Sequence, residues 1–292
     1  MGNNIALSKN YVPLLDQVYK KAALSTILNT ADSMAKAGNK ANEIIIPKIS
    51  MDGLADYSRN SGYTKGDVTL TWETIKFNYD RGRKFEVDYL DNEETAEVAF
   101  GMLGAEFQRT KVAPEADAFT FATLAGISGI SKVAAGATLA DGTAVLTALI
   151  AAVTKMDEDE VPDENRILFI TPTNLNTVMA LDTTKSREVL AKFSSIVKVP
   201  QSRFYTAIEL LDGTSENELA GGYKKDATNG KDINFMIVHK PCVIKFDKHI
   251  ANDIIRPADN QTSDAYMQKY RKYGLVDVYD NKVAGIYLHH KA

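Results

Sequence analysis

At 292 residues, 45% apolar and 25% charged, the chain has the composition of a soluble globular protein. Its 34 Lys and Arg against 38 Asp and Glu leave a net charge of −4, which excludes a protein whose main work is to grip nucleic acid through a basic surface. Cys242 is the only cysteine, which excludes intrachain disulfides and multi-cysteine zinc sites and fits a reducing compartment. At roughly 150 residues per domain, the length suggests one large or two modest domains.

The first forty residues are Asn-, Ala- and Lys-rich, with five Lys against Asp16 and Asp32, so they carry +3 and the remainder −7. Tyr11, Leu14, Leu15, Val18 and Leu24 fall near helical spacing and predict one short amphipathic helix. Ser33 to Asn42 is small and polar, like a flexible strap. No stretch here is apolar enough for a signal peptide. The longest apolar run, Val145 to Val153, spans nine residues and is broken by Thr147, whereas a membrane-crossing helix needs about twenty. The triplet Asn260-Gln261-Thr262 is then a chance match to a glycosylation acceptor.

Glu43 to Ile49 predicts an edge strand, with Pro47 near its end. Met51 to Asp67 predicts a long loop, returning through a strand in which Val68, Leu70 and Trp72 alternate on even positions. From Ile75 the apolar residues fall on odd positions: Ile75, Phe77 and Tyr79, then Phe85, Val87 and Tyr89. That phase change swaps the buried face and predicts a bulge or twist near Glu73-Thr74. The expectation is a two-stranded finger whose tip and base meet different surroundings. An isolated hairpin is marginal in water, so the finger must rest on something else.

Asp91-Asn92-Glu93-Glu94 supplies a cap and a favourable charge for a long helix. Phe100, Leu103, Phe107, Ala118 and Phe121 form its stripe, and Pro114 is expected to kink it. Run from 92 to 124, it would be roughly 50 Å long. A Gly- and Ala-rich connector follows, then a helix over Val145–Met156 and strands at Ile167–Ile170, Ile196–Val199, Phe235–Val238 and Val243–Phe246. Leu275–Tyr279 and Val283–Leu288 flank Asp280-Asn281-Lys282 and predict a hairpin.

No catalytic motif emerges. There is no Gly-rich phosphate loop and no dinucleotide fingerprint. His289 and His290 are adjacent on a strand, so their side chains point to opposite faces and do not chelate together. His239 and His249 have no ligand partners in the pattern, and Cys242 has no nucleophile arrangement. The acidic cluster Asp157, Glu158, Asp159, Glu160, Asp163, Glu164 lacks the spacing of a calcium loop, with Val161 and Pro162 where a ligand and a Gly belong. Arg81, Arg83 and Lys84 lie beside Tyr79 and Phe85 but are offset by Asp80, Glu86 and Asp88, a weak case for nucleic acid that salt bridges across a subunit boundary explain at least as well. No cofactor and no metal are expected. The chain spends its residues on an arm, a finger and a spine, none of which satisfies itself within one subunit.

That order of elements resembles the major capsid proteins of tailed phages with the Hong Kong 97 fold, an α+β architecture. The resemblance is carried by Thr69-Leu70-Thr71-Trp72-Glu73-Thr74, Arg81-Gly82-Arg83-Lys84-Phe85-Glu86-Val87-Asp88 and Asp91-Asn92-Glu93-Glu94-Thr95. Val199-Pro200-Gln201-Ser202-Arg203-Phe204-Tyr205 and Tyr279-Asp280-Asn281-Lys282-Val283-Ala284-Gly285-Ile286-Tyr287-Leu288 add to it. It implies an N-terminal arm at 1–42 and an extended E-loop hairpin at 43–79. It further implies a P-domain at 80–136 and 251–292 with its spine helix about 92–124, and an A-domain at 137–250. The implied function is a non-enzymatic shell subunit that assembles into pentamers and hexamers, forming an icosahedral head that encloses double-stranded DNA without sequence-specific binding. Trp72, Arg81, Arg83 and Lys84 are the expected assembly contacts. The forty residues before the finger are too short for the cleaved scaffolding segment of some members, so a separate scaffolding protein is expected, with a portal and room for a decoration protein. The expected location is the virion, after synthesis in a bacterial cytoplasm, with no membrane contact. Two alternatives stand beside this reading: an encapsulin-type nanocompartment shell and a cytosolic α+β enzyme.

Overall fold

The computed structural model describes residues 23–30, 36–37, 43–94, 103–133 and 135–292. All of the helix expected near Tyr11–Leu24 except its last residue, most of the arm and Phe100 lie outside these residues.

Strand β1 (Lys36–Ala37) pairs with β2 (Glu43–Met51), and β2 pairs antiparallel with β3 (Val68–Lys76). The register runs unbroken from Glu43↔Lys76 to Met51↔Val68, so the expected bulge at Glu73-Thr74 is absent. The phase change is instead a change of surroundings along a straight ribbon. At the root, the cross-strand pair Ile44 and Ile75 packs on Ile244 and Leu275 of the body. Past the root the body ends, and the apolar residues switch to the other face.

Strand β4 (Tyr79–Asp88) joins the edge of a second antiparallel sheet, ordered β11 (Val243–Ile255), β12 (Ala265–Val278), β4. The link between β3 and β4 is pinned by Asn78. Its amide donates to the Val276 carbonyl at 2.7 Å and accepts from the Val276 N–H at 3.1 Å, mimicking one more residue of strand. Phe77 stacks on Tyr273 at 4.8 Å beside it.

Helix α1 (Tyr89–Glu94) starts a turn earlier than the Asp91-Asn92 pattern predicts, because Asp88 accepts from the Leu90 N–H at 2.9 Å. The spine resumes at α2 (Leu103–Phe107), continues through a π-helical turn over Gln108–Val112, and ends in α3 (Ala113–Gly126). From Leu103 to Gly126 it spans roughly 36 Å. Pro114 sits in the first turn of α3, directly after the π turn, where the irregular bonding absorbs its missing N–H. Helix α3 is buried on nearly every side, since it is wedged between the two sheets.

The larger sheet has the order β5 (Ser131–Lys132), β13 (Ile286–His290), β10 (Ile233–His239), β6 (Arg166–Ile170), β7 (Ser195–Lys198). One face packs on α3 through Phe121, Leu124, Phe169, Met236 and Leu288. The other carries α4 (Gly142–Glu158), α5 (Pro172–Ala180) and α6 (Thr184–Ala191), with Leu149, Val153, Met156, Ile170 and Phe235 between. Covered on both faces, β6 reads as a continuous apolar run. The expected hairpin at 275–288 does not form: β12 and β13 belong to different sheets, joined by a 3-10 segment at Asp280–Gly285. A small hairpin, β8 (Ile208–Leu211) and β9 (Gly222–Lys225), completes the fold.

Candidate functional site

The finger has two unlike faces. On one, Ile46, Lys48 and Glu73 turn toward the body, and Lys48 pairs with Asp280 at 3.2 Å. Burial and the neighbouring Asp280 carboxylate hold the Glu73 carboxyl above the usual range. On the other face, the cross-strand pairs Pro47–Trp72, Ile49–Leu70 and Met51–Val68 form a stripe turned away from the body. Pro47 is exposed and the other five side chains are more than half exposed, with Trp72 at 57% and Val68 at 67%. At the tip Leu54, Tyr57 and Tyr63 are also exposed, the two tyrosines packed at 4.9 Å. A contiguous apolar surface of this kind marks an interaction site.

Arg81 and Arg83 lie elsewhere. They share the inner face of β4 with Tyr79 and Phe85, in phase with the odd alternation. They border a cleft of about 840 Å³ between β4, the spine and the segment 211–225. Arg81 donates to Glu115 at 2.8 Å and to the Leu211 carbonyl at 2.8 Å, and Tyr79 donates to the same Glu115 at 3.2 Å. Burial and the Glu115 charge push the Tyr79 hydroxyl well above its ordinary pKa. Arg83 donates to the Leu219 carbonyl at 2.9 Å. Both arginines therefore staple the β8–β9 hairpin and its loop to β4 within one subunit. Lys84 points outward and pairs with Glu86 at 2.7 Å.

A buried clasp, not foreseen from the sequence, holds the segment before the finger. Asp117 on α3 is fully buried and accepts from the N–H of Leu24 and Ser25, from Ser25 Oγ at 2.7 Å, and from Arg203 at 2.9 Å. Lys245 reaches Ser25 Oγ at 2.6 Å and its carbonyl at 2.8 Å, and Leu28 inserts into the core. Burial pulls the Lys245 ammonium down to about 8, opposed by the charge of Asp117. Thr30 then lies along β11, donating its N–H to the Lys245 carbonyl at 2.8 Å.

The residues weighed for chemistry serve packing. Asp157 and Asp163 pair with buried Arg166 at 2.6 and 3.1 Å, and Asp159 pairs with Lys155. His289 is buried, stacks on Phe235 at 5.0 Å, and its Nδ1 lies 3.0 Å from the Asn234 amide. Burial pushes the Cys242 thiol up to about 12. Among the described residues, no group of three or more His, Cys, Asp and Glu is placed to hold a metal ion. No helix there is long and apolar enough to cross a membrane.

No family model and no curated protein sequence match the chain. Its fold, however, matches solved structures over almost its whole length. A structure from Mycobacterium phage Che8 aligns at a TM-score of 0.64 and 15% identity, covering 99% of this chain and 98% of that one. The capsid structure of the cyanophage P-SCSP1u aligns at 0.63 and 14%, covering 98% and 93%. A virus-like particle from Pyrococcus furiosus aligns at 0.54 and 11%, covering 86% and 87%. The mixed α+β fold is thus that of phage capsid subunits.

Proposed function

We propose that the chain is the shell subunit of a tailed-phage head. In this role it is a major capsid protein whose copies assemble as pentamers and hexamers into an icosahedral container for double-stranded DNA. The observation that carries this reading is the apolar stripe of the finger, turned away from its own body. Each such side chain, when fully buried, contributes about 1.5–3 kcal/mol, and among the described residues of the chain none covers it. On this reading residues 1–42 are the arm, 43–79 the E-loop, 80–136 with 251–292 the P-domain, and 137–250 the A-domain. Trp72 and Lys84 then meet neighbouring subunits, whereas Arg81 and Arg83 act first by fixing the subunit's own shape at the cleft. A separate scaffolding protein, a portal and a decoration protein complete the partners, and the assembled protein resides in the virion.

The body's −7 suits a container that must not adhere to its DNA, while the +3 arm suits an interior position. The two phage structures cover 98–99% of the chain against 86% for the virus-like particle from Pyrococcus furiosus, which supports a phage head. Negative-stain microscopy of the purified protein tests the reading: closed shells or capsomer rings are expected, and discrete monomers at high concentration would overturn it.

A further inference from the structure

Among the described residues, the β11 edge is covered for part of its length and open for the rest. Lys245 turns both backbone groups away from β12, its carbonyl accepting from the Thr30 N–H and its N–H donating to Thr30 Oγ1 at 3.3 Å. Odd positions therefore point outward as far as Asp247. A register shift between Asp247 and His249 reverses that alternation, after which His249 faces Tyr273, Ala251 faces Arg271 and Asp253 faces Lys269. In an antiparallel ladder only alternate residues bond to a given neighbour, so the outward groups beyond the shift belong to Ile250, Asn252 and Ile254. Among the described residues nothing pairs with them. Ile250 and Ile254 are 55% and 61% exposed, and no proline or inward charge blunts this stretch.

We infer that the open stretch of β11 pairs antiparallel with the same stretch of a second copy across a two-fold axis, joining two three-stranded sheets into one. The segment is complementary to itself. Centred on Asn252, the pairing sets Ile250 against Ile254 of the other copy twice over, and each outward N–H meets an outward carbonyl. The apolar cross-strand pairs lie on the face that also carries Tyr270 and the spine, where each such pair adds to stability. An isologous contact of this kind links two subunits and closes, unlike the finger, which reaches onward to a different surface. The inference extends the shell reading by naming a contact between neighbouring copies.

Asn252→Cys tests it, because the only native thiol, Cys242, is buried. In the paired geometry the two Cα atoms would lie about 5.5 Å apart, within disulfide reach. Oxidation of assembled particles should yield covalent dimers, while a His249→Cys control, which the same register sets opposite Ile255 of the other copy rather than opposite itself, should yield far fewer. Ile250→Pro, which removes an outward N–H without touching the β12 ladder and keeps the Asn252 Oδ1 that accepts from Gln268 Nε2, should leave the subunit folded and weaken the contact at least tenfold in sedimentation. Particles that assemble but give no Asn252→Cys dimer overturn the pairing and leave the shell reading intact; absence of any particles strikes the shell reading itself. Exchange protection at 250–254 without the symmetric disulfide would mean that some other extended segment covers the edge, and would overturn self-pairing too.

Discussion

Replacing Asp117 by Asn should cost the subunit about 3–5 kcal/mol, the range for breaking a buried ion pair by removing one partner. Asp117 Oδ1 accepts from the Ser25 N–H and hydroxyl, and Oδ2 accepts from Arg203. An amide can keep the oxygen facing Ser25, but its NH2 then confronts the guanidinium, donor against donor. Arg203 is 3% exposed and Lys245 6%, so neither cation can find water instead. Urea unfolding of the unassembled subunit, followed by far-UV circular dichroism, reads the loss; Trp72 is too exposed to report it. Proteolysis should also reach residues 23–30 sooner in the variant. Adding Arg203→Met to Asp117→Asn should recover part of the loss, because the guanidinium that faces the amide is gone and only Lys245 remains without its counter-charge. A loss below about 1 kcal/mol, or no recovery in the double variant, would refute the account of the clasp.

Trp72→Ser should leave urea stability within about 0.5 kcal/mol, as for an exposed site, while raising the critical concentration for assembly ten- to a hundredfold; an equal loss of subunit stability would place Trp72 in the core. Burial and neighbouring His290 pull His289 down to about 4 from an ordinary 6.5. The unfolded chain therefore binds the extra proton first, so stability should fall by about 3 kcal/mol as pH drops from 6.5 toward 4. In His289→Gln the pH dependence of unfolding should flatten over that window, and an unchanged slope refutes it. A Cβ on Gly142 would lie 2.2 Å from the Thr177 carbonyl, so Gly142→Ala should lower stability by about 1–3 kcal/mol despite the better helix propensity of Ala, and a raised melting temperature would contradict this close approach of α4 and α5.

What was legible in the sequence follows the range of the interactions. The finger's strands, the spine and the buried β6 declared themselves through local periodicity, and the phase change at Ile75 did mark where the finger leaves the body. Its cause was not legible, because a face exposed for a partner and a bulge produce the same pattern of residues. The false hairpin at 275–288 shows a local turn signal overruled by distant pairing, since β12 finds β4 and β11, and β13 finds β10. Arg81 and Arg83 shared the inward parity of Tyr79 and Phe85, a signal that they point into the fold. Their carbonyl acceptors at Leu211, Gly222 and Leu219 are backbone atoms and leave no trace in composition. The clasp was invisible for a similar reason: Ser25, Asp117, Arg203 and Lys245 come together from four distant segments.

The strand order has a consequence for the ribosome. β12 lies between β11 and β4, and β13 lies between β5 and β10, so neither main sheet is complete until residues 265–290 have been made. Contacts so distant along the chain close late, and domains generally fold as units during synthesis. A growing chain thus displays a finger with no finished body to support it. On a polysome, where many nascent copies crowd together, the finger's exposed stripe and the unpaired strand edges therefore stay open to wrong partners until the last strands emerge.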